Sequence, residues 1–130
     1  MGHYTNEILK GAEKVNLLKS RIDETVKDRD KNDHKYKEWQ KACKEFHDQY
    51  DLLAFPGGAS SAIERIEKGN SQAIEAGLCF IECRPYFFRS GYMYKDLMRK
   101  LKKAPMEPNQ KSRFSLVYEK YIQYREQRNA

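Results

Sequence analysis

Two pairs of possible metal ligands in this chain are each separated by one helical turn. Cys43 precedes His47 by four positions, and Cys79 precedes Cys83 by the same interval. Residues four apart share one face of a helix. Two such helices in contact would place three thiolates and an imidazole together, a ligand set that zinc favours. The alternative is that the cysteines fill the core, where this residue type is common. We expect the core role, with no metal and no other cofactor.

Cys43 and His47 are also the residue types of a cysteine nucleophile and its base. Cys43 lies in the middle of a predicted helix, however, away from the helix N-terminus where thiolates are stabilised, and Lys44 is its one adjacent cation. The acid pair Glu75 and Glu82 occupies a helix face where solvated or ion-paired carboxylates are common, and nothing marks the two as acid and base. We therefore predict no catalytic residues and no enzymatic activity.

Cations and aromatic side chains alternate after residue 83, and this is the strongest candidate for a functional surface. Five aromatic residues fall within positions 86–94, and a dense run of lysine and arginine follows at 95–103. Cations bind phosphates and carboxylates, while exposed aromatic rings stack on bases or anchor protein partners. The predicted partner-binding residues are Arg84, Tyr86, Phe88, Arg89, Tyr92, Lys95, Arg99, Lys100, Lys102 and Lys103.

The competing interpretation is that these aromatic residues are core and that the lysines form the solvated face of one helix. Helical spacing favours the core for Tyr94 and leaves the positions of Tyr86, Phe88 and Tyr92 open. Lys111 and Arg113 extend the cationic cluster along the sequence.

The net charge of +6 is confined to the second half of the chain. Residues 1–57 contain 11 Lys/Arg and 11 Asp/Glu, whereas residues 58–130 contain 14 and 8. An acidic partner, whether protein or nucleic acid, should therefore meet the second half first.

Neither a membrane-spanning segment nor a secretion signal is visible in the sequence. No apolar run approaches the length that crosses a bilayer, and the start of the chain lacks the charged, apolar and small-residue regions of a signal peptide. The three cysteines are an odd number, which fits reduced thiols better than a disulfide framework. We expect a cytoplasmic protein that does not contact a membrane.

Periodic apolar residues predict an all-α chain with five or six helices. The predicted helices cover residues 5–28, 34–53, a short stretch ending at Gly69, 71–84, 92–103 and 108–127. The first two should form an antiparallel hairpin, because a short polar turn joins them. We predict one domain, 1–130, with the helical hairpin at 1–55 and a basic helical bundle at 60–130.

The helix at 71–84 is predicted to be the centre of the bundle. Ile74, Leu78 and Ile81 form one apolar stripe, and other apolar residues cover most of the remaining circumference. Glu75 and Glu82 share a single narrow polar edge. A helix of this kind is normally enclosed by other elements.

Residues 36–53 show a heptad seam on the second helix, with apolar residues at alternating steps of three and four. This seam could pair with the first helix or with another chain, so the oligomeric state stays open.

Several helix ends are predicted from capping residues. Asn32 or Asp33 is expected to cap the second helix, and Asn70 the central helix, while Ser61–Glu64 has the spacing of a capping box. Pro85 is placed in the first turn of a short helical segment, with Gly91 as its left-handed stop.

Together these features predict a small, non-catalytic, cytosolic protein-binding module with an acidic partner. The profile is that of bacterial immunity proteins, antitoxins and adaptors, a likeness of profile and not of sequence. The alternative is RNA or DNA binding through the same basic patch, in which the cations would contact phosphates.

Overall fold

The computed structural model describes residues 3–129, which form six α-helices and no strand. The helices are α1 (Thr5–Val26), α2 (Asp33–Ala54), α3 (Ala62–Glu67), α4 (Ser71–Cys83), α5 (Ser90–Leu101) and α6 (Pro108–Asn129). The prediction of an all-α fold with an N-terminal hairpin and a helical bundle is confirmed. None of these helices is both long enough and apolar enough to cross a membrane.

Helix α4 lies at the centre, as its composition predicts. Eight of its 13 residues are buried, and the helix contacts α1, α3, α5 and α6. Phe80 is fully buried, with its ring centroid 6.0 Å from that of Phe55, which follows α2. Leu97, Leu101 and Phe114 complete the same core from α5 and α6. Enclosure on this scale leaves only the polar edge of α4 near the surface.

Helices α1 and α2 form the predicted antiparallel hairpin. The inner face of α1 is buried at Ile8, Val15 and Leu18, and its burial decreases toward Val26 at the tip. On α2 the residues of the heptad seam are half-buried, except for Tyr36, which is 43% exposed. The end of the hairpin that carries Ile8 packs into the core of the bundle.

Two of the predicted caps are confirmed and one is wrong. The side-chain oxygens of Asn32 and Asn70 accept hydrogen bonds from the backbone N–H groups at the starts of α2 and α4. Ser61 is the N-cap residue of α3, but its side chain makes no cap hydrogen bond, so the capping box does not form. Its hydroxyl accepts a hydrogen bond from Nε of Arg65, whose guanidinium also donates to the carbonyls of Pro56 and Gly58. The Ser61 hydroxyl therefore bonds to Arg65 and not to the backbone N–H group that a capping box would require.

The connection between α4 and α5 differs from the prediction. Pro85 lies in a non-helical segment, and Gly91 lies inside the first turn of α5. The left-handed residues are Arg84, with φ 45°, and Arg89, with φ 67°. Pro85 explains the end of α4, because a proline disfavours helical geometry in the residue before it. Glycine is the residue expected at a left-handed position, which is why the sequence suggested the wrong one.

Helix α1 approaches the end of α2 closely at Gly11, and this contact predicts a sensitive position. A Cβ at residue 11 would overlap the backbone carbonyl oxygen of Leu53. Gly11→Ala should lower the free energy of unfolding by about 2 kcal/mol, because the backbone must shift to relieve the overlap. Urea unfolding followed by circular dichroism measures the change.

Gly91→Ala is the matched control for this substitution. A Cβ at residue 91 would meet only Nη2 of Arg84, at 3.8 Å. The better helix propensity of alanine should leave the protein as stable as the parent or more stable. Equal unfolding midpoints for Gly11→Ala and Gly91→Ala would show that the two helices do not approach as described.

Candidate functional site

The four residues of the possible zinc site do not form one. Within residues 3–129, no group of three or more His, Cys, Asp or Glu side chains could hold a metal ion. Cys79 is buried in the core, whereas Cys43 is half-buried on the hairpin and His47 is exposed. Cys83 is half-buried at the end of α4.

The two thiols of α4 are chemically quiet. Burial raises the pKa of Cys79, and it raises the pKa of Cys83 to about 11. Both therefore stay protonated at neutral pH, and a protonated thiol is neither a good metal ligand nor a nucleophile. Sγ of Cys79 lies 3.3 Å from a carboxylate oxygen of Glu75, to which it donates. Cys79 is thus a buried core residue whose thiol is hydrogen-bonded within the fold.

Arg113 of α6 occupies the polar edge of α4. Its Nη1 lies 2.9 Å from Glu75, and its Nη2 lies 2.6 Å from Glu82. Gln110 donates a further hydrogen bond to Glu75 at 3.1 Å. The sequence placed Arg113 in the cationic cluster, but this guanidinium is already neutralised by two carboxylates. Arg113 joins α6 to α4 and is not free to meet a ligand.

The ion pair changes the titration of Glu75. Burial alone would raise its pKa, but hydrogen bonds from Arg113, Gln110 and Cys79 outweigh burial, so the pKa of Glu75 is lowered below its ordinary value of 4.5. A carboxyl with a lowered folded-state pKa stabilises the fold above its unfolded-state pKa, and this contribution is lost as the pH falls through the folded-state value.

We therefore predict that Glu75→Gln weakens the acid dependence of stability. The variant should lose about 1 kcal/mol at pH 7, because one partner of the ion pair has gone. The difference from the parent should shrink as the pH falls from 4.5 toward 3, where Glu75 of the parent becomes protonated. Urea midpoints at a series of pH values measure both effects.

Glu64→Gln is the matched control, since it removes the same charge from an exposed pair with Lys68. Exposed ion pairs contribute little to stability. If Glu64→Gln and Glu75→Gln gave the same pH profile, the ion pair with Arg113 would have no special role.

An open groove of about 900 Å³ lies between α5 and the second half of α6, next to the segment that joins α4 to α5. Its floor includes Met98, which is buried, and Tyr94 and Tyr121, which are half-buried. The rings of Tyr94 and Tyr121 meet edge to face at 5.8 Å. Tyrosines therefore join the two walls of the groove.

Cations line both walls of this groove, and no acidic residue is among its lining residues. The seven cations are Arg84, Lys95, Arg99 and Lys102 on one side, and Lys120, Arg125 and Arg128 on the other. Within the described part of the chain, Arg99 alone among these forms an ion pair, with Asp96 at 3.1 Å. The other six positive charges have no carboxylate partner in residues 3–129.

Each tyrosine of the groove has a cation over its ring. The distances from the cation to the ring centroid run from 4.3 to 5.9 Å. The pairs are Arg84 with Tyr86 and with Tyr94, Lys102 with Tyr118, Arg125 with Tyr121, and Arg128 with Tyr124. Such contacts restrict the cations and hold them along the groove.

Tyr94 keeps its hydroxyl proton at neutral pH. Burial raises its pKa, and the opposing effect of Arg84 does not overcome it. The neutral hydroxyl can donate a hydrogen bond to a ligand oxygen.

The structure brings together five of the ten predicted partner-binding residues. Arg84, Tyr86, Lys95, Arg99 and Lys102 line the groove. Tyr86 is 71% exposed and projects from the segment before α5. The cationic and aromatic pattern of the sequence thus locates one wall of the groove.

The other five predicted residues lie outside the groove. Phe88 is 44% exposed and packs against the rings of Phe46 and Tyr50 on the hairpin. Arg89 extends over Phe88, and Lys100 pairs with Glu67 of α3. The remaining two, Tyr92 and Lys103, are exposed but do not line the groove.

Sequence reasoning missed the second wall of the groove. The predicted partner-binding residues did not include Tyr118, Tyr121, Arg125 or Arg128 of α6. These four residues follow steps of three, four and three along α6. The sequence did contain a signal for this wall. The tyrosines of α6 follow helical spacing, and the arginines continue the same face at the same spacing.

Comparison of the chain with protein-family models, with curated proteins and with solved structures finds no match. Function is therefore inferred from the groove itself.

Proposed function

We propose that the protein is a small, non-catalytic binding module that holds an acidic segment of a partner protein in the groove between α5 and α6. The observation that carries this proposal is the charge of the groove, which combines seven cations with no lining acid. Clustering like charges along one groove is unfavourable until counter-charges arrive. A segment rich in aspartate or glutamate would supply them.

The tyrosines support a protein ligand. Tyrosine and arginine are the side chains most often found at the energetic centres of protein interfaces. The groove contains five tyrosines, of which Tyr86 and Tyr124 are 71% and 61% exposed. Their hydroxyl groups donate to carboxylates or to backbone carbonyls, and their rings provide apolar contact.

This function would place the protein among adaptors, immunity proteins and antitoxins, which act by occupying a partner. An acidic partner surface is the complement of the groove, so a basic nuclease toxin would be a poor target. We also propose a cytoplasmic location, where the three free thiols would remain reduced.

Single-stranded RNA or DNA is the second candidate ligand. The observation in its favour is the same row of cations with interspersed aromatic rings, which is how many proteins bind single strands. It is disfavoured because a cation already covers one face of each groove tyrosine, which leaves at most one face of each ring for base stacking. We therefore rank the acidic protein segment first.

The proposal predicts that charge reversal inside the groove abolishes binding of an acidic peptide. Lys95→Glu combined with Arg125→Glu changes one cation on each wall. Affinity for a fluorescein-labelled 16-residue Glu-rich peptide should fall at least about tenfold, because two charge-assisted contacts become repulsive. Fluorescence anisotropy in 0.15 M salt measures the affinity.

Lys37→Glu combined with Lys41→Glu is the matched control on the hairpin. Both residues are exposed, and the pair changes the net charge by the same amount. At this salt concentration charges farther than about 8 Å from the ligand are largely screened, so the control should bind the peptide like the parent. Equal losses in the two double variants would mean that net charge, and not the groove, attracts the peptide.

Oligo(dT) of 12 nucleotides tests the second candidate in the same assay. If nucleic acid is the ligand, affinity for oligo(dT) should exceed that for the peptide. The logarithm of the binding constant should then fall linearly with the logarithm of the salt concentration. The slope should reach about −5 if all seven cations contact phosphates, and it should be shallower if fewer do. Tight oligo(dT) binding without peptide binding would replace the proposed function by the second candidate.

A further inference from the structure

Three half-buried arginines differ in how their guanidinium groups are used. Arg113 donates to Glu75, Glu82 and Cys79 from all three of its nitrogens. Arg65 donates to a serine and to two backbone carbonyls. These two arginines have partners within the fold, which explains why each is partly buried. Arg84 is different, because it is half-buried with only part of its guanidinium in use.

The guanidinium of Arg84 is held by hydrogen bonds from its Nη1 and by tyrosine rings that lie against its faces. Nη1 donates to the carbonyl of Pro85 at 2.8 Å and to the hydroxyl of Ser90 at 3.4 Å. The guanidinium carbon lies 4.3 Å from the ring centroid of Tyr86 and 4.8 Å from that of Tyr94. Nε and Nη2 have no acceptor within residues 3–129, so the edge that they share is available to a ligand.

The backbone at Arg84 is in an unfavourable conformation for an arginine. Its φ of 45° lies in the left-handed region, where glycine would be unstrained. Such strain persists where surrounding structure imposes it, and it is concentrated at functional sites. Here the left-handed geometry ends α4, because the N–H of Arg84 donates to the carbonyl of Phe80 at 2.8 Å. It also places the side chain between the two tyrosines.

Gly91 leaves space beside the free edge of Arg84. It lies in the first turn of α5 and has no positive φ that would require a glycine. It lines the groove, and a Cβ there would stand 3.8 Å from Nη2 of Arg84. A residue with a side chain would be more stable at this helical position. The absence of one keeps the approach to Nη2 open.

We infer that Arg84 determines the specificity of the groove, and that its Nε–Nη2 edge holds one oxyanion of the acidic segment in the space that Gly91 leaves. This inference rests on the proposed function. The oxyanion is a carboxylate of Asp or Glu, or the phosphate of a phosphorylated residue, since both accept two parallel hydrogen bonds from a guanidinium edge. The exposed cations farther along the groove attract the segment, and Arg84 fixes its register.

Arg84→Lys and Arg84→Gly test the fixed edge directly. Lysine keeps the charge but not the planar pair of donors, so affinity for the Glu-rich peptide should fall about tenfold. Glycine relieves the backbone strain and removes the side chain, so affinity should fall further while the thermal midpoint stays near that of the parent. A loss of binding without a loss of stability is the result that a purely structural arginine would not give.

Arg89→Gly is the matched control, because Arg89 is also left-handed and the structure places it outside the groove. It should relieve the same kind of strain and bind the peptide within about twofold of the parent, since no groove contact is lost. Gly91→Leu should instead reduce affinity about tenfold, because the leucine fills the space beside Nη2. Its fold is checked by circular dichroism.

Nuclear magnetic resonance provides a readout at the atom concerned. The Nε–H signal of Arg84, assigned by its disappearance in Arg84→Lys, should shift when the Glu-rich peptide is added. A peptide in which phosphoserine replaces the central glutamate distinguishes the two oxyanions. A larger loss for the phosphopeptide on Arg84→Lys indicates a phosphate, and an equal loss indicates a carboxylate.

Failure of this inference and failure of the proposed function give different results. One outcome is that Lys95→Glu combined with Arg125→Glu abolishes peptide binding while both Arg84 variants bind like the parent. In that case the groove is the binding site, as proposed, and the role of Arg84 is refuted. If neither the groove variant nor the Arg84 variants change peptide binding, the proposed function fails with it. If Arg84→Lys weakens oligo(dT) alone, the edge serves a nucleic-acid phosphate and the peptide inference is overturned.

Discussion

The enclosure of α4 is the constraint on which the rest of the structure depends. Because this helix is apolar on most of its circumference, four other helices must cover it. The acidic side chains of α4 therefore lie on one edge of the helix. Arg113 meets Glu75 and Glu82 on that edge and so fixes α6 against α4. Since α6 has 22 residues and α4 only 13, the second half of α6 continues past the core alongside α5. The groove is the consequence of that difference in length.

The segment 84–89 connects the groove to the hairpin. Its carbonyls accept hydrogen bonds from Asn16 of α1 and Tyr50 of α2, so its backbone is held from the hairpin side. Its first residue, Arg84, turns toward the groove, while Phe88 packs on the hairpin. One short segment with two left-handed residues thus sends one side chain to the groove and another to the hairpin. The aromatic residues in it look alike in the sequence but face different neighbours.

Periodicity and capping chemistry predicted the helices well, because both are local properties of the chain. The central position of α4 followed from its composition, and Asn32 and Asn70 were found as capping residues that precede predicted helices. The left-handed positions could not be found, since tertiary contacts impose them on arginines where propensity favours Gly91. Half of the predicted partner-binding residues lie outside the groove for a related reason. Whether Phe88 or Lys100 faces the groove depends on the relative orientation of α4 and α5. No local sequence pattern predicts that orientation.

The distribution of charge shows which cations the fold itself uses. Arg113 and Lys100 are paired with acids of neighbouring helices, and Arg65 donates to two carbonyls and a hydroxyl. Apart from Arg99, which pairs with Asp96, the groove cations have no carboxylate partner in the described part of the chain, and four of them lie over tyrosine rings. Cation–π contacts at exposed sites are worth about 0.5–1 kcal/mol each, which offsets mutual repulsion without neutralising it. A positive potential therefore remains along the groove, and this potential is the reason for proposing an anionic ligand.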